Sequence, residues 1–176
     1  MSFRLLVTLV LVMATSLVNA DIGDGVKAWQ KGDYKTAFTE WESIAINGDP
    51  IAQYNLGMLY ARGEGVIGDM RQAWYWFIKS ADQGYSESQS VLATMYRFGD
   101  GVERHIPSAI RWYTKAAMQG HAISQLNLGL MYWDDENVVR DVSKAKYWIR
   151  EAHENDNTEV REAASQAWTM FELWKY

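Results

Sequence analysis

Residues 51–85 read IAQYNLGMLYARGEGVIGDMRQAWYWFIKSADQGY, and their pattern returns twice more at intervals of 36 residues. Glycine, leucine, tyrosine and tryptophan keep that spacing: Gly48, Gly84 and Gly120; Leu56, Leu92 and Leu128; Tyr60, Tyr96 and Tyr132; Trp76, Trp112 and Trp148. A fixed period of this length is typical of a solenoid, whose units bury their apolar faces only by stacking on their neighbours. Such proteins usually bind other molecules rather than transform them.

The first half of the unit has the pattern of an amphipathic helix. Its apolar residues fall at positions i, i+4, i+7 and i+8, which lie on one helical face: Ala52, Leu56, Leu59 and Tyr60. Gly63 and Gly65 follow, and glycine readily adopts the left-handed conformation of a helix end. We therefore expect a helix, a glycine turn and, in Val66, an apolar side chain that packs beneath the turn.

The second half of the unit predicts a second helix. Asp69 stands where an N-cap is expected, and Gln72 would complete a capping box three residues later. Ala73, Trp76 and Phe77 then recur at helical spacing until Gly84. The unit is thus a helical hairpin, and the chain is predicted to be all-α, an α/α superhelical solenoid.

The repeats set the domain boundaries. Residues 21–176 form one solenoid domain: an incomplete unit at 21–49, repeats at 50–85, 86–121 and 122–157, and a closing helix at 159–174. In the third repeat Asp135 and Asn137 replace the two turn glycines, and both types tolerate the left-handed conformation, so we expect the same turn. The closing helix carries an apolar stripe predicted to cover the last hairpin: Ala163, Ala167, Met170, Phe171 and Trp174.

Residues 1–20 have the pattern of a signal peptide. Arg4 precedes an apolar run, LLVTLVLVM, at residues 5–13, which is too short to span a bilayer. Small residues at Val18 and Ala20 predict cleavage after Ala20, with a retained N-terminal anchor as the alternative. We expect a periplasmic or secreted protein with no stable membrane insertion after cleavage.

Composition narrows the classes of partner and of chemistry. The net charge is −5, and it becomes −6 once the segment with Arg4 is removed. Nucleic acid and anionic lipid both require a basic surface, so neither is expected as a partner. The chain has no cysteine, which removes thiol catalysis and thiolate metal sites.

Three patterns that could carry chemistry are weak. His105, His121 and His153 match no metal-binding spacing. Ser143 and Lys146 form an S-x-x-K motif, but the companion motifs of serine β-lactamases do not occur in the sequence. The acidic residues 134–136 lack the spacing of a calcium loop. We therefore predict no catalytic residue, no metal and no cofactor.

The repeat also resembles a known family. The run at residues 52–60, the GEGV at 63–66, and then Asp69, Ala73, Trp76, Lys79 and Ala81 are similar to the Sel1-like repeat, a relative of the tetratricopeptide repeat with a longer turn. The resemblance covers residues 52–155. It implies a right-handed superhelix with a concave face that works as an adaptor in protein complexes, and exported bacterial members often act in the cell envelope. Some cysteine-rich relatives bind or hydrolyse β-lactams, but this chain lacks their cysteines.

One face of the first helices varies between repeats while the core does not. The variable face is predicted to bind a protein or peptide through Tyr54, Asn55, Met58, Arg62, Thr94, Phe98, Asn127, Leu130 and Trp133. Trp133 has no aromatic counterpart in the other repeats, so it is either an exposed anchor or packed on the closing helix.

We therefore predict an exported, non-enzymatic adaptor of the bacterial cell envelope that binds a protein or peptide. One alternative is a hydrolase or binding protein for cell-wall or β-lactam amides, using Ser143 and Lys146. A second alternative is an envelope scaffold that assembles side to side without a ligand groove.

Overall fold

The computed structural model describes residues 22–175, so the predicted signal peptide and its cleavage site lie outside the described residues. Over this range the chain forms nine α-helices and no strand. They are α1 (Ile22–Gln30), α2 (Tyr34–Ile46), α3 (Pro50–Arg62), α4 (Met70–Asp82), α5 (Ser86–Phe98), α6 (Ile106–Met118), α7 (Ala122–Asp134), α8 (Val142–Glu154) and α9 (Thr158–Met170), and a 3-10 turn follows at Leu173–Lys175.

The helices stack in chain order. Each packs on the helix before it and the helix after it, and α9 also reaches α7. The pairs α3–α4, α5–α6 and α7–α8 are the three repeats, and each pair is joined by a seven-residue turn. Only three residues join α1 to α2, so the first unit lacks the long turn. This arrangement confirms the predicted all-α solenoid.

The predicted core stripes are buried. Ala52, Leu56 and Leu59 are almost completely covered, and Trp76 packs with Ala45. Small residues allow the two helices of a repeat to approach closely. A β-carbon added to Gly57 would lie 2.7 Å from the Phe77 ring, so the hairpin requires glycine at that point.

The first two turns follow the prediction in their backbone. Gly63 ends α3 with φ 67°, and Gly99 ends α5 with φ 83°. Asp69 caps α4 by accepting hydrogen bonds from the amides of Arg71 and Gln72. The predicted capping box is wrong in its second half, because the Asp69 amide donates to the Tyr60 carbonyl at 3.0 Å instead.

The third turn does not follow the prediction. Asp135 has φ −92° and extended backbone, and Asn137 is not among the residues with positive φ. The Asp135 carboxylate instead accepts from the Asn137 amide and pairs with Arg97 of the previous repeat at 3.2 Å. The turn still closes as the others do, with the Asp141 amide bonded to the Tyr132 carbonyl at 2.9 Å. An ion pair between repeats therefore replaces the left-handed glycines.

The prediction for the closing helix is also wrong in part. It ends at Met170, and Glu172 then adopts φ 51°, which redirects the chain. Met170 and Trp174 are therefore exposed, whereas Leu173 is fully buried. The face that covers the last hairpin is Val160, Ala164, Ala167 and Leu173, with Phe171 packed against it. Of the predicted stripe, only Ala167 is fully in place.

A repeating set of amide contacts, here called the glutamine ladder, links successive repeats. The buried Gln53, Gln89 and Gln125 donate to the carbonyls of Ala45, Ala81 and Ala117 in the preceding helices. Their side-chain oxygens accept from Gln83, Gln119 and Asn155 in the same order. Because buried amides are costly without partners, this ladder holds the repeats in register.

Candidate functional site

Four of the predicted binding residues meet at one pocket, here called the α3 pocket. Its volume is about 200 Å³. Helix α3 contributes the predicted Tyr54, Asn55, Met58 and Arg62, together with Leu59, and α1 and α2 contribute Trp29 and Trp41. The pocket is therefore mainly aromatic and aliphatic, with an amide and a guanidinium group, as is usual for sites that bind an apolar side chain.

Trp29 and Trp41 are held in place by hydrogen bonds. The Trp29 indole donates to the Glu64 carboxylate at 3.2 Å, and the Trp41 indole donates to the Ile22 carbonyl at 3.3 Å. Gly25 allows α1 to lie directly against the Trp41 ring, because a β-carbon there would overlap the indole. The aromatic wall is thus largely formed before any ligand arrives.

Tyr54 forms another wall of the pocket. Its ring lies 5.4 Å from that of Tyr85 in an edge-to-face contact and 5.8 Å from that of Phe77. Burial raises the pKa of the Tyr54 hydroxyl, Glu87 raises it further, and Arg62 partly opposes them. The hydroxyl therefore stays protonated at neutral pH and can serve as a hydrogen-bond donor.

The side-chain amide of Asn55 is the polar group of the α3 pocket that can bond to a ligand. Its side chain is half-buried in the pocket wall, and it makes no hydrogen bond to any residue between 22 and 175. An asparagine amide offers two donor hydrogens and a carbonyl oxygen. It can therefore pair with both the N–H and the C=O of an extended peptide backbone. In the third repeat the equivalent Asn127 is already engaged, since its amide lies 3.5 Å from the Tyr113 hydroxyl.

Thr94 and Asn127 lie in the middle of the predicted surface and contact an internal hydroxyl. The Thr94 hydroxyl donates to the Ser90 carbonyl, so the Tyr113 hydroxyl is the donor in their 2.8 Å contact. Burial raises the pKa of Tyr113, and its contacts with Thr94, Arg97 and Asn127 oppose the rise. Thr94 of α5 and Asn127 of α7 therefore both contact Tyr113 of α6, and these contacts hold the three helices together.

Phe98 belongs to a separate and more polar pocket of about 490 Å³. Its ring is 63% exposed, and the Arg97 guanidinium lies 5.3 Å from its centre. The remaining lining residues are charged or polar: Arg97, Arg104, Asp134, Asp135, Glu136 and Asn137. Phe98 is thus an isolated apolar group at the rim of the third turn.

Leu130 and Trp133 pack against the C-terminal segment. The Trp133 ring is stacked on Phe171, with centres 4.6 Å apart and planes at 14°, and the Arg140 guanidinium lies 4.0 Å from the Trp133 ring. Leu130 joins the same apolar cluster. Of the two alternatives for Trp133, packing is therefore the one observed. The nine predicted residues occupy four regions, of which the α3 pocket contains the largest number, four.

Two residues that line the α3 pocket, Trp29 and Trp41, were not predicted from the sequence. Trp29 belongs to the incomplete first unit, whose short link removes the 36-residue register, so it has no repeat counterpart. Trp41 is in register with Phe77, Tyr113 and Ile149, which are buried core residues. The periodic signal therefore predicts a core role for Trp41 and gives no indication that one edge of its ring reaches a pocket.

The residues of the alternative catalytic motif, Ser143 and Lys146, lie three positions apart on α8. Ser143 is exposed in the first turn of α8, beside the cap residue Asp141, whose carboxylate binds Lys144 at 3.1 Å. The Lys146 ammonium lies 5.8 Å from the Trp168 ring centre. Residues 22–175 contain no cluster of three or more potential metal ligands.

The histidines have structural contacts. His105 and His121 cap α6 and α7 through Nδ1, which accepts from the amides of Ser108 and Ser124. His153 Nδ1 lies 2.9 Å from the Ser165 hydroxyl, a pairing that the sequence did not predict. The Ser165 hydroxyl donates its hydrogen to the Arg161 carbonyl at 2.7 Å, so His153 does not act as its base.

Comparison with known proteins agrees with this architecture. The family model described as Sel1 repeat matches residues 50–85, 86–121 and 122–157. A search of curated proteins found no significant match.

Two similar solved structures have closely related folds. A Sel1 repeat protein from Oxalobacter formigenes is 28% identical with a TM-score of 0.74, over 80% of this chain and 58% of that one. The second structure is c5321, a protective antigen present in uropathogenic Escherichia coli strains, which displays an SLR fold. It is 34% identical to this chain with a TM-score of 0.70, and the match covers 74% of this chain and 29% of that one. This chain thus spans less than two thirds of either structure.

No helix within residues 22–175 is long and apolar enough to cross a membrane.

Proposed function

This chain belongs to the Sel1 repeat family, and on that premise we propose that it is a non-enzymatic adaptor that binds an extended segment of a partner protein in the α3 pocket. Sel1 repeats typically mediate protein–protein interactions. Within that general role, the pocket suggests how a particular segment is recognised.

The observation that carries the proposal is the Asn55 amide, which has no hydrogen-bond partner among residues 22–175 and lies within an aromatic pocket. A half-buried amide favours a ligand that supplies both a donor and an acceptor, and a peptide backbone does so at every residue. Trp29, Tyr54 and Met58 would surround one apolar side chain of the segment, and Arg62 at the edge would favour an acidic group beside it.

The cellular location is part of the same proposal. A cleavable signal at residues 1–20 would deliver the adaptor to the periplasm or the medium, so its partner is a protein or peptide of the cell envelope. The net charge of −5 and the scattered basic residues support a protein partner rather than nucleic acid.

Site-specific photocrosslinking in intact cells tests the proposal. A crosslinking amino acid at Arg62 should capture one envelope protein, identified by mass spectrometry, and Asn55→Ala or Met58→Asp should abolish capture. Ile67→Asp is the matched control, because Ile67 is 90% exposed in the turn after α3 and lies outside the pocket lining. Capture that survives both pocket changes would overturn the assignment of the pocket. Cell fractionation and N-terminal sequencing of the mature protein test export separately, and a cytoplasmic, uncleaved chain would refute it.

A further inference from the structure

Helix α9 and the turn after it reproduce the first half of another repeat. One period after the third repeat, Ala164 occupies the position of Leu56, Leu92 and Leu128, and Trp168 occupies that of the repeat tyrosines. Leu173, in the turn, is fully buried against Ile149 and Ala167. In the first repeat Val66 packs beneath the turn in the same way, against Trp41 and Leu59. The segment therefore has the helix and the turn that precede a second helix elsewhere in the chain.

In each complete repeat the second helix covers one defined surface with a tryptophan. Trp76 packs with Ala45 of α2 and with Tyr60 of its own repeat. Trp112 and Trp148 occupy the same place one and two repeats later, in a cluster that contains Ala81, Ala117, Tyr96 and Tyr132. The surface is thus built to receive a helix with a large aromatic residue.

Within residues 22–175, no helix covers the equivalent surface of α9. No helix follows the 3-10 turn within residues 22–175, and a cavity of about 300 Å³ lies where a tryptophan would be expected. It is lined by Arg150, His153, Ser165, Trp168 and Thr169 and is here called the α8–α9 seat. By register, His153 stands at the position of Ala45, Ala81 and Ala117, and Trp168 stands at that of the tyrosines.

The seat retains the small residue that helix contact requires. Ser165 stands at the position of Gly57, Ala93 and Gly129, where the two helices of a repeat meet. Ala93 is fully buried, so a β-carbon at this position is compatible with a packed second helix. The Ser165 hydroxyl is turned back onto the Arg161 carbonyl, so it does not project into the path of a helix.

The charge of the seat differs from that of the earlier surfaces. Lys146, Arg150 and His153 lie at i, i+4 and i+7 along α8, on one face of the helix. Earlier repeats carry Phe38, Trp74 and Ile110 at the first of these positions and alanine at the last. The Arg150 guanidinium lies 3.9 Å from the Glu151 carboxylate and 4.0 Å from that of Glu154, both at the long limit of an ion pair. A helix that docks here would be favoured by acidic side chains beside its aromatic residue.

The second helices α4 and α6 do not have that charge, and in α2 the acidic Glu40 and Glu42 flank Trp41, which is buried within its own chain. Trp112 is flanked by Arg111 and Lys115, both of whose cationic groups contact its ring, and Lys79 lies over Trp76. A second copy that inserted such a helix would place like charges beside Arg150, which argues for a different protein as the occupant.

We propose that the α8–α9 seat docks an amphipathic helix of a partner protein, with a central aromatic residue that enters the cavity and acidic residues that face Arg150 and His153. The seat goes beyond the proposed function of the α3 pocket and lies at the other end of the helix stack. If binding at one of the two sites is disproved, binding at the other can therefore still be tested.

A helical peptide of defined sequence tests the seat. The probe is a fluorescent peptide of residues 69–83 in which Arg71→Glu and Lys79→Glu supply the acidic flank, stapled to hold it helical and checked by circular dichroism. It should bind the mature protein saturably in fluorescence anisotropy. The same peptide with Trp76→Ala, and the stapled peptide with its natural Arg71 and Lys79, should each bind about tenfold more weakly or worse.

The protein variants locate the binding. Arg150→Glu with His153→Glu should weaken binding of the acidic peptide by about tenfold or more, because both partners would then be negative. Lys35→Glu with Gln72→Glu, exposed changes at the N-terminal end that lower the net charge by the same amount, should leave the affinity unchanged. Equal binding by both variants would overturn the proposal, as would a verified helical peptide that does not bind. Sedimentation must show a monomer, since a dimer lost only in Arg150→Glu with His153→Glu would make a second copy the occupant.

Discussion

The side-chain amide of Gln83 donates to the side-chain oxygen of Gln53 at 2.8 Å, and Gln119 makes the same contact with Gln89 one repeat later at 2.7 Å. Asn155 continues the series with Gln125 at 3.3 Å, although its side chain is one carbon shorter. The glutamine ladder therefore runs through all three repeats. It explains why a polar residue is retained at a position that is only 3–5% exposed.

Loss of a buried member of the glutamine ladder should destabilise the fold. Gln89→Ala would remove two hydrogen bonds of a buried side chain, one to the Ala81 carbonyl and one from the Gln119 amide, and each contributes about 0.5–1.5 kcal/mol. Urea denaturation followed by circular dichroism measures the change in the free energy of unfolding. Gln166→Ala is the matched control, because Gln166 is an exposed glutamine of α9 outside the ladder, and its loss should change the free energy of unfolding by about 0.5 kcal/mol or less. Equal losses for the two variants would show that the ladder does not hold the repeats together.

Addition of one methyl group at Gly57 should destabilise the first hairpin. Helix propensity alone predicts that Gly57→Ala gains about 1 kcal/mol. The new β-carbon would lie 2.7–2.9 Å from atoms of the Phe77 ring, which is 1% exposed and has no room to move. We expect the packing effect to exceed the propensity effect and cost about 1–3 kcal/mol.

Thermal unfolding of Gly57→Ala measures which effect is larger. Asn55→Ala, two residues earlier on the same helix, is the control and should keep the wild-type stability, since Asn55 has no hydrogen-bond partner within residues 22–175. A stabilised Gly57→Ala variant would mean that the two helices can separate slightly at no cost.

His121 should make the stability of the protein depend on pH. Burial lowers the pKa of its imidazole below the ordinary 6.5, and Glu87 partly opposes the shift. The neutral ring, with Nδ1 accepting from the Ser124 amide, is the form that caps α7. The unfolded chain therefore binds a proton more readily than the folded chain, and the stabilisation is complete above pH 6.5. It falls as the pH drops below 6.5 and is fully lost below the pKa of the folded state.

His121→Asn separates this effect from that of the carboxylates. Asparagine is a good N-cap and does not titrate. The variant should match the wild type near neutral pH and lose less stability than the wild type when the pH is lowered towards 5. Free energies of unfolding from urea titrations across this range provide the measurement. Parallel pH profiles for the two proteins would contradict the assignment.

Leu173, rather than Trp174, should stabilise the C-terminal end. Leu173 is completely buried and packs in the cluster that contains Ile149 and Ala167, whereas Trp174 is 56% exposed. Leu173→Ala should therefore cost about 2–5 kcal/mol through the cavity that it leaves. Trp174→Ala should change the free energy of unfolding by about 0.5 kcal/mol or less, as for most surface positions. Guanidinium denaturation of both variants measures the two losses. A larger loss for Trp174→Ala than for Leu173→Ala would contradict this expectation and favour the apolar stripe predicted from the sequence.

The repeat period was sufficient to predict most of the fold and part of the candidate site. Leu56 and its equivalents are buried because a 36-residue period returns each side chain to the same face of the same helix. Tyr54, Asn55, Met58 and Arg62 were predicted together since they lie opposite that stripe on one helix. Such contacts depend on local spacing, which a single sequence displays directly.

What the sequence by itself determined is therefore the helical hairpin, its boundaries and the buried stripe, because these follow from periodicity, glycine turns and helix caps. The tertiary structure alone decided which side chains from different helices meet. Trp29 reaches the α3 pocket through the short link after α1, Asp135 pairs with Arg97 across two repeats, and His153 meets Ser165 beside the α8–α9 seat. These contacts join residues 12–38 positions apart, and their distances depend on how the helices stack, which no local pattern in the chain records.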